Sequence, residues 1–482
     1  MKKHILTLAM VGIVTGMQAQ DGGFVPSYIE DLYRYSDNNS LEGTARFRAM
    51  SGAMGALGGD LSATTVNPAG TAVFLNSEAS ITGGMLKSGT DLTLGNTSHS
   101  NNETVGQLSQ AGGVIVFSGL DNANWRSVAM SLNYQRQSNV QEVLNLRTDA
   151  LVSENGNISR NYYHANTGNS AVTNFNIAAN YQDRIYIGAG LNMHSFITTT
   201  DNRYREHDAG WDEDITYRQD FTPFSKRGQG ISLGLGVIGK LNQNVRLGAS
   251  YKSPTWYIDT EETVTQYALY PGTDDTGEYY VVDYESQLYL HNMNSAQSFT
   301  GSAAFILGTQ GLISADFTYR DYSTAKFKPE NSFLGENDYM SAHMTSSTAI
   351  RVGGEMRIQD FRVRGGFRYE TSPFDQMSVA VGNQNVNYRP FGDLTGFSAG
   401  VGYNFGNMFI DASYDHFSRD RNHLIYGDYY AYGEGIYTSD QIGAEQALDL
   451  LSFNMGERGL ARSISQFTEK LGSINLTLGL RF

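Results

Sequence analysis

The fold is decided by the last thirteen residues of the chain, which read Lys470-Leu471-Gly472-Ser473-Ile474-Asn475-Leu476-Thr477-Leu478-Gly479-Leu480-Arg481-Phe482. Apolar side chains occupy every second position from Ile474 to Phe482, and the positions between them are polar or glycine. This period of two is that of a β-strand with one apolar and one polar face. A membrane-spanning barrel strand needs both faces, because one contacts lipid and the other lines the lumen. An ordinary edge or sandwich strand would alternate in the same way.

The rest of the chain favours the barrel, because the alternation recurs until it gives fourteen strands. The predicted spans are 77–86, 111–118, 127–136, 171–182, 184–198, 228–241, 244–257, 297–308, 310–322, 345–358, 360–370, 395–405, 407–417 and 470–482. Very tight turns at Asp183, 242–243, Thr309, Gln359 and Gly406 alternate with long loops at about 87–110, 137–170, 199–227, 258–296, 323–344, 371–394 and 418–469. Short turns at one end and long loops at the other are typical of bacterial outer-membrane barrels. We therefore predict an all-β fold, a single antiparallel transmembrane barrel of about fourteen strands.

Composition excludes several classes of function. The 482 residues include no cysteine, which removes disulfides, thiolate catalysis and cysteine metal sites. The net charge of −15 argues against nucleic acid as a partner, since phosphate binding needs a basic face. The nine histidines show no metal-ligand spacing, and no nucleophile elbow or phosphate-binding loop is present. We expect no enzyme activity, no metal and no cofactor.

The first nineteen residues read as a signal peptide. Lys2 and Lys3 precede a short apolar core from Ile5 to Val14, and Ala19 is a plausible last residue before cleavage. The apolar core is too short for a membrane-spanning helix, which takes about 20 residues. The chain is thus expected to be exported and to enter the membrane through its strands.

Residues 20–76 do not alternate and precede the predicted barrel of residues 77–482. They contain a stretch rich in glycine and alanine with Phe47, Met50 and Met54, followed by Asn67-Pro68-Ala69-Gly70. Small residues allow close packing, and methionine fills irregular apolar space. This composition predicts a plug inside the barrel; a periplasmic tail is the alternative and would be more polar.

The order of these segments resembles the FadL/OmpP1 family of outer-membrane transporters for hydrophobic compounds. The resemblance rests on the Gly/Ala-rich stretch leading to Gly59-Asp60, on Asn67-Pro68-Ala69-Gly70, and on fourteen strands ending in Phe482. It implies passive uptake of hydrophobic or amphipathic small molecules, such as long-chain fatty acids. It also implies an N-terminal hatch as the gate, and the family's Asn-Pro-Ala motif maps onto Asn67, Pro68 and Ala69. We place Phe47, Met50 and Met54 in the same hatch.

Extending the alternation predicts a basic wall on one side of the lumen. Its inward side chains are Arg320, Arg351, Arg357, Arg362, Arg364 and Arg368. They could attract a carboxylate headgroup. The alternative is a lattice of salt bridges with Asp316, Glu355, Asp411 and Asp415. The salt-bridge lattice and the carboxylate site are compatible if one arginine has no carboxylate partner in the lattice.

Further expectations concern the last loop and the partners. Residues 439–451 read as a short helix capped by Ser439 or Asp440. An aromatic last residue, Phe482, resembles the signal read by the barrel assembly machinery, so its removal should impair insertion. We expect a monomer in the bacterial outer membrane, in contact with lipid and lipopolysaccharide. Two other functions stay open, namely a type IX secretion-like shuttle that binds exported proteins and a general porin.

Overall fold

The computed structural model describes residues 33–34, 41–94, 97–118, 124–148, 158–208, 213–215, 220–221, 224–270, 280–381, 384–426 and 461–482. The predicted signal peptide and the helix predicted at 439–451 lie outside these residues. Among the residues described, no helix is long and apolar enough to cross a membrane.

Strands account for most of the described chain. They are β1 Glu78–Leu94, β2 Thr97–Ser118, β3 Trp125–Thr148, β4 Ile158–Tyr181, β5 Ile185–Asp208, β6 Glu213–Ile215, β7 Asp220–Phe221, β8 Phe224–Lys240, β9 Val245–Lys252, β10 Trp256–Tyr270, β11 Tyr280–Asn294, β12 Ser298–Ile306, β13 Gly311–Asp321, β14 Lys326–Lys328, β15 Ser346–Ile358, β16 Phe361–Glu370, β17 Met377–Val381, β18 Gln384–Tyr388, β19 Phe391–Asn404, β20 Met408–Tyr426 and β21 Ala461–Arg481. The helices are α1 Ala45–Ala49 and α2 Leu334–His343, with 3-10 helices at Ala63–Thr65, Pro68–Val73, Tyr322–Thr324 and Glu330–Ser332.

The sheet closes into a barrel of fourteen strands, as predicted. The last strand, β21, pairs with the first along its length, from Glu78↔Arg481 to Thr93↔Gln466. β9 and β10 are two parts of one barrel strand interrupted at 253–255, and β11 and β12 are two parts of the next, interrupted at 295–297. The short strands β6, β7, β14, β17 and β18 are additions at the loop end. Within the described residues, closure leaves the fourteen barrel strands without a free edge, which is the condition for a sheet to span lipid.

The two faces of the barrel have the predicted chemistry. On β21 the Leu478 side chain is 45% exposed on the outside, whereas Thr477 is 0% exposed in the lumen. β13 repeats this pattern, with Ile313 and Phe317 outside and Asp316 buried inside. The apolar outer face is the lipid-contacting band of a membrane barrel.

The strands are longer than the sequence predicts. The predicted turns at Asp183 and Gln359 are present, with left-handed φ angles of 56° and 55°. At the other end, β1 and β2 continue through the segment predicted as the loop 87–110 and stay paired up to Leu94↔Thr97. Apolar and polar side chains alternate only where a strand faces lipid. Beyond the membrane the two strands keep their backbone hydrogen bonds, but their side chains are polar on both faces and the alternation is lost.

Residues 41–76 lie inside the barrel and are called the hatch below. The Ala45 amide donates to Thr477 Oγ1 at 2.7 Å, and the Ser51 amide donates to Ser398 Oγ at 3.0 Å. Thr477 and Ser398 lie on β21 and β19, whereas Asn67 of the same segment donates to the Val237 carbonyl of β8 on the far side of the barrel, so this part of the predicted plug fills the interior. Most of residues 20–40 are outside the described chain.

Candidate ligand path through the barrel

Asn67 joins the hatch to the barrel wall. Its side chain is 1% exposed and begins the 3-10 helix Pro68–Val73 by accepting a hydrogen bond from the Ala69 amide at 3.1 Å. Its Nδ2 donates to the Gly55 carbonyl at 2.8 Å and to the Val237 carbonyl at 3.2 Å. One amide therefore fixes two parts of the hatch and one strand, β8, in a single arrangement.

The wall beneath Asn67 and Pro68 is built from inward-facing glycines of β5 and β8. A Cβ placed on Gly236 would lie 1.9 Å from Asn67 Oδ1. A Cβ on Gly188 would lie 2.5 Å from the Pro68 carbonyl carbon and 2.6 Å from the Ala69 nitrogen. Only glycine permits this approach of backbone to backbone. The sequence pattern alone does not reveal this seat.

Arg48 anchors the hatch to the opposite wall. This fully buried guanidinium donates from Nε to Asp415 Oδ1 at 2.8 Å and from Nη1 to Glu42 Oε2 at 2.6 Å, and it also contacts Ser473. Burial alone would lower the pKa of Arg48, but the carboxylates of Asp415 and Glu42 raise it above its ordinary value. Arg48 therefore stays charged and ties α1 to β20 and β21. It was absent from the predicted site residues.

The three predicted hatch side chains Phe47, Met50 and Met54 are buried together. They pack in one cluster with Leu41 and Leu57 of the hatch and with wall residues that include Leu312 and Leu394. Their apolar surface faces both hatch and barrel, so a movement of the hatch would have to separate these contacts. Their role in gating stays a prediction.

Three of the six predicted lumen arginines belong to a salt-bridge lattice around Glu355. Arg364 donates to Glu355 at 2.8 Å and to Asp411 at 2.5 Å. Arg357 and Arg362 approach the other carboxylate oxygen of Glu355 at 3.3 and 4.0 Å. The hatch adds Arg46, whose Nε lies 3.1 Å from Glu355. Each of these four arginines therefore has a carboxylate within 4.0 Å, which is the lattice arrangement.

The other three predicted arginines form a second group around Glu370 and Asp316. Arg368 and Arg320 share Glu370, at 2.7 and 3.7 Å. The nearby Asp316 carboxylate is occupied by amides of the hatch, accepting from Gly55 at 3.0 Å. Arg351 pairs with Asp316 in the β13–β15 register, yet it has no hydrogen-bond or ion-pair partner among the described residues. Arg351 is only 5% exposed, so a buried cation is left available to an anion.

An aromatic cluster lies on the loop side of these arginines. Its buried members are Tyr33, Phe196, Tyr257, Met293, Tyr322, Ala325, Phe327, Met340, Met344, Phe374 and Phe391. They come from the N-terminal segment, several barrel strands, the loops and α2, and together they form a packed apolar cluster. Hydrophobic and aromatic side chains of this kind line most sites for apolar ligands.

Sequence reasoning missed this cluster, although a signal existed. Phe196 falls on the inward face of β5, between His194 and Thr198, where the pattern calls for a polar residue. Large apolar residues out of phase with the alternation mark places where the lumen itself is apolar. The described residues contain no group of three or more histidine, aspartate or glutamate side chains able to hold a metal ion.

The predicted assembly signal, Phe482, lies at the turn end of the barrel. Its amide donates to the Ser77 carbonyl at 3.0 Å, and its side chain is exposed. An exposed aromatic ring at this position is accessible to another protein. Recognition by the assembly machinery stays a prediction.

Comparison with known proteins identifies the fold. No family model matches the sequence, and no curated protein matches it either. Among solved structures, a FadL homologue of Pseudomonas aeruginosa superposes over 92% of this chain and 99% of its own, with a TM-score of 0.52 and 11% identity. The toluene transporters TodX of P. putida and TbuX of Ralstonia pickettii cover the same shares, with TM-scores of 0.53 and 0.50 and identities of 12% and 14%. The chain therefore has the FadL-type barrel fold of the bacterial outer membrane, which confirms the resemblance at the level of the fold.

Proposed function

We propose that this protein carries hydrophobic or amphipathic small molecules, such as long-chain fatty acids, passively across the outer membrane. The observation that carries the proposal is the aromatic cluster, a packed group of apolar side chains placed between the loop end and the hatch. A water-filled pore would not need apolar side chains at this place. The transporters TodX and TbuX, which share the fold, are named for toluene, another hydrophobic compound.

The path runs from the loop end to the turn end. A ligand enters the aromatic cluster, and its polar head, where it has one, meets Arg351. The hatch blocks further movement until Asn67, Pro68 and Ala69 leave the glycine seat. Phe47, Met50 and Met54 then separate from the wall. The concentration gradient of the ligand drives passage.

The contribution of Arg351 can be tested by comparing a charged with a neutral ligand. We expect Arg351→Met to weaken palmitate binding by about 10- to 100-fold, because a hydrogen bond to a charged group contributes about 1.5–3 kcal/mol. Binding of methyl palmitate should be unchanged, because the ester has no charge to lose. Equilibrium binding to the purified protein measures both.

The matched control is Arg126→Met. Arg126 lies at the turn end, 61% exposed, with Asp183 at 3.8 Å, and contacts nothing in the path. Its variant should bind palmitate as the wild type does. Equal loss of palmitate and methyl palmitate in the Arg351 variant would contradict a headgroup role.

A further inference from the structure

The hatch crosses the inner wall of β15 and β16 at a pair of glycines. Gly353 and Gly366 lie opposite each other in the strand register. A Cβ on Gly353 would lie 2.6 Å from the Met50 carbonyl oxygen, and a Cβ on Gly366 would lie 2.5 Å from the Met50 carbonyl carbon. Only glycine lets the hatch backbone approach the wall this closely. Inward residues nearer the end of β15 and the start of β16 therefore lie on the turn side of the hatch.

Two arginines face each other on that side. Arg357 of β15 and Arg362 of β16 are directly opposite in the register, close to the turn at Gln359. Like charges directly opposite on neighbouring strands are destabilising. Their side chains are 42% and 22% exposed, whereas that of Arg364, the next inward position away from the turn, is 1% exposed. The pair is thus open to solvent at the turn end, and an anion bound there would relieve its repulsion.

Among the residues described, Glu355 is the one carboxylate within 4.0 Å of either arginine. Its Oε2 accepts hydrogen bonds from Arg364 at 2.8 Å and from Arg46 of the hatch at 3.1 Å. Its Oε1 accepts from Arg357 Nε at 3.3 Å but lies 4.0 Å from Arg362 Nε, which is too far for a hydrogen bond. Within the described chain, Arg362 therefore donates no hydrogen bond, and the two Nη groups of Arg357 donate none.

Arg46 brings a third guanidinium to the same place from the hatch. It projects from α1, donates from Nη1 to the Gly59 carbonyl at 3.1 Å, and has a side chain that is 21% exposed. Two further carboxylates are engaged elsewhere. Asp411 binds Arg364 at 2.5 Å, and Asp60 accepts from a hydroxyl and from amides of the hatch itself. The three partly exposed guanidinium groups therefore share one carboxylate, which offsets their charge only in part.

We propose that Arg46, Arg357 and Arg362 form a binding site for an oxyanion on the turn side of the hatch. Guanidinium groups present planar forks of N–H donors, which match the oxygens of a phosphate or a carboxylate. The oxyanion is either free in solution at the turn end or the headgroup of a molecule that leaves the barrel, and both offer the same oxygens. The site is separate from Arg351, which lies on the loop side of the glycine pair, and it does not depend on which compound the barrel carries.

A bound oxyanion would also hold the hatch in place. Arg357 and Arg362 belong to the wall, whereas Arg46 belongs to the hatch, so an anion that contacts all three joins the two parts. A ligand that binds only one arrangement of a protein stabilises that arrangement by mass action. Opening of the hatch must therefore displace the anion or break its contact with Arg46.

Inorganic phosphate is the first probe of the site. The purified full-length protein should bind it in calorimetry at low ionic strength. The double variant Arg357→Met/Arg362→Met should bind it about 10- to 100-fold more weakly, because hydrogen bonds from charged groups are lost. Heat-modifiable migration on a gel reports that the barrel has formed. Arg362→Met alone replaces the double variant if that one does not assemble, with a smaller loss of affinity expected.

The matched control is Arg126→Met/Arg184→Met. Both arginines are exposed at the turn end beside β3 and β5, so this variant loses the same charge from another part of the barrel. It should bind phosphate as the wild type does.

Butyl phosphate distinguishes the two sources of the oxyanion. It presents phosphate oxygens at the end of a short alkyl chain. An affinity equal to or below that for inorganic phosphate indicates a free anion as the occupant. Binding that is about tenfold tighter, and is lost in the double variant, indicates the headgroup of a passing molecule, because the alkyl chain then buries apolar surface.

Limited proteolysis with chymotrypsin, which does not cut at arginine, tests the connection to the hatch. Phosphate at about ten times its dissociation constant should slow cleavage of the wild-type hatch about tenfold. Arg46→Met should still bind phosphate through the two wall arginines but should lose this protection. Basic residues that attract phosphate without joining hatch and wall would give no protection.

Two results would overturn the proposal. One is a wild-type protein that binds no phosphate, and the other is equal affinity of the wild type and the double variant. Binding that leaves the hatch unprotected would refute the contribution of Arg46 and hence the site of three arginines. None of these measurements involves uptake, so failure of the proposed transport would leave the oxyanion site standing, and failure of the site would leave transport standing.

Discussion

Gly236→Val is expected to unseat the hatch and turn the closed barrel into a conducting pore. The Cβ at this position would lie 1.9 Å from Asn67 Oδ1 and 3.0 Å from its Cγ. β8 is held in the sheet on both sides, so the hatch is the part that must move. The displaced Asn67 amide then loses its hydrogen bonds to the Gly55 and Val237 carbonyls. Each buried polar group left without a partner costs about 1–3 kcal/mol of stability. Single-channel recording in planar lipid bilayers measures the result.

The same strand supplies the control for this experiment. A Cβ on Gly239 would have nothing within 4 Å, so Gly239→Val should assemble and stay closed. Asn67→Ala removes the hydrogen bonds but introduces no clash. It should give brief channel openings, with a conductance between those of the Gly236→Val and Gly239→Val proteins. A Gly236→Val barrel that inserts normally but conducts no more than the wild type would show that the seat does not hold the hatch.

Arg48→Leu is expected to lower the free energy of unfolding by about 3–5 kcal/mol, because it leaves two buried carboxylates without their cation. Asp415 and Glu42 both depend on this guanidinium, at 2.8 and 2.6 Å. The stability that is lost is that of the contact between the hatch and the barrel wall. A protease should therefore cleave the hatch before the barrel unfolds. Urea titration in lipid vesicles, followed by limited proteolysis, measures both effects.

Arg126→Leu provides the comparison, since it removes an arginine from an exposed pair 3.8 Å from Asp183. Exposed pairs contribute about 0–1 kcal/mol, so this variant should unfold as the wild type does. If the two variants unfold at the same urea concentration, the buried cluster does not stabilise the hatch.

The barrel could be predicted from the sequence because lipid imposes a strict rule on each strand. Leu478 must face outward and Thr477 inward, and a one-residue slip would exchange them. The structure places both as predicted. Beyond the membrane the outward side chains need not be apolar. The paired strand segment from Ser98 to Leu108 was therefore predicted as a loop.

The interior could be predicted only in part. Alternation placed Arg351 and Arg364 on the same inward face, but it could not distinguish their surroundings. Arg364 is compensated by Glu355 and by Asp411 of β20, whereas Arg351 is left between Arg368 and an Asp316 that the hatch already occupies. Such differences depend on contacts between residues far apart in the chain, which a local period does not encode.

The same limit applies to the hatch and the aromatic cluster. The motif around Asn67 was recognised as part of a hatch, yet its seat on Gly188 and Gly236 depends on the register of two distant strands. Tyr33 and Phe391 are more than three hundred positions apart and meet only because the barrel closes around the N-terminal segment.

The most direct test of the proposed transport is native mass spectrometry of the detergent-purified protein, followed by solvent extraction and identification of what it carries. We expect a bound hydrophobic or amphipathic small molecule, at up to one copy per barrel, since the aromatic cluster lies within the lumen. A stable co-purifying protein with no small ligand would contradict this account and favour a role in protein secretion.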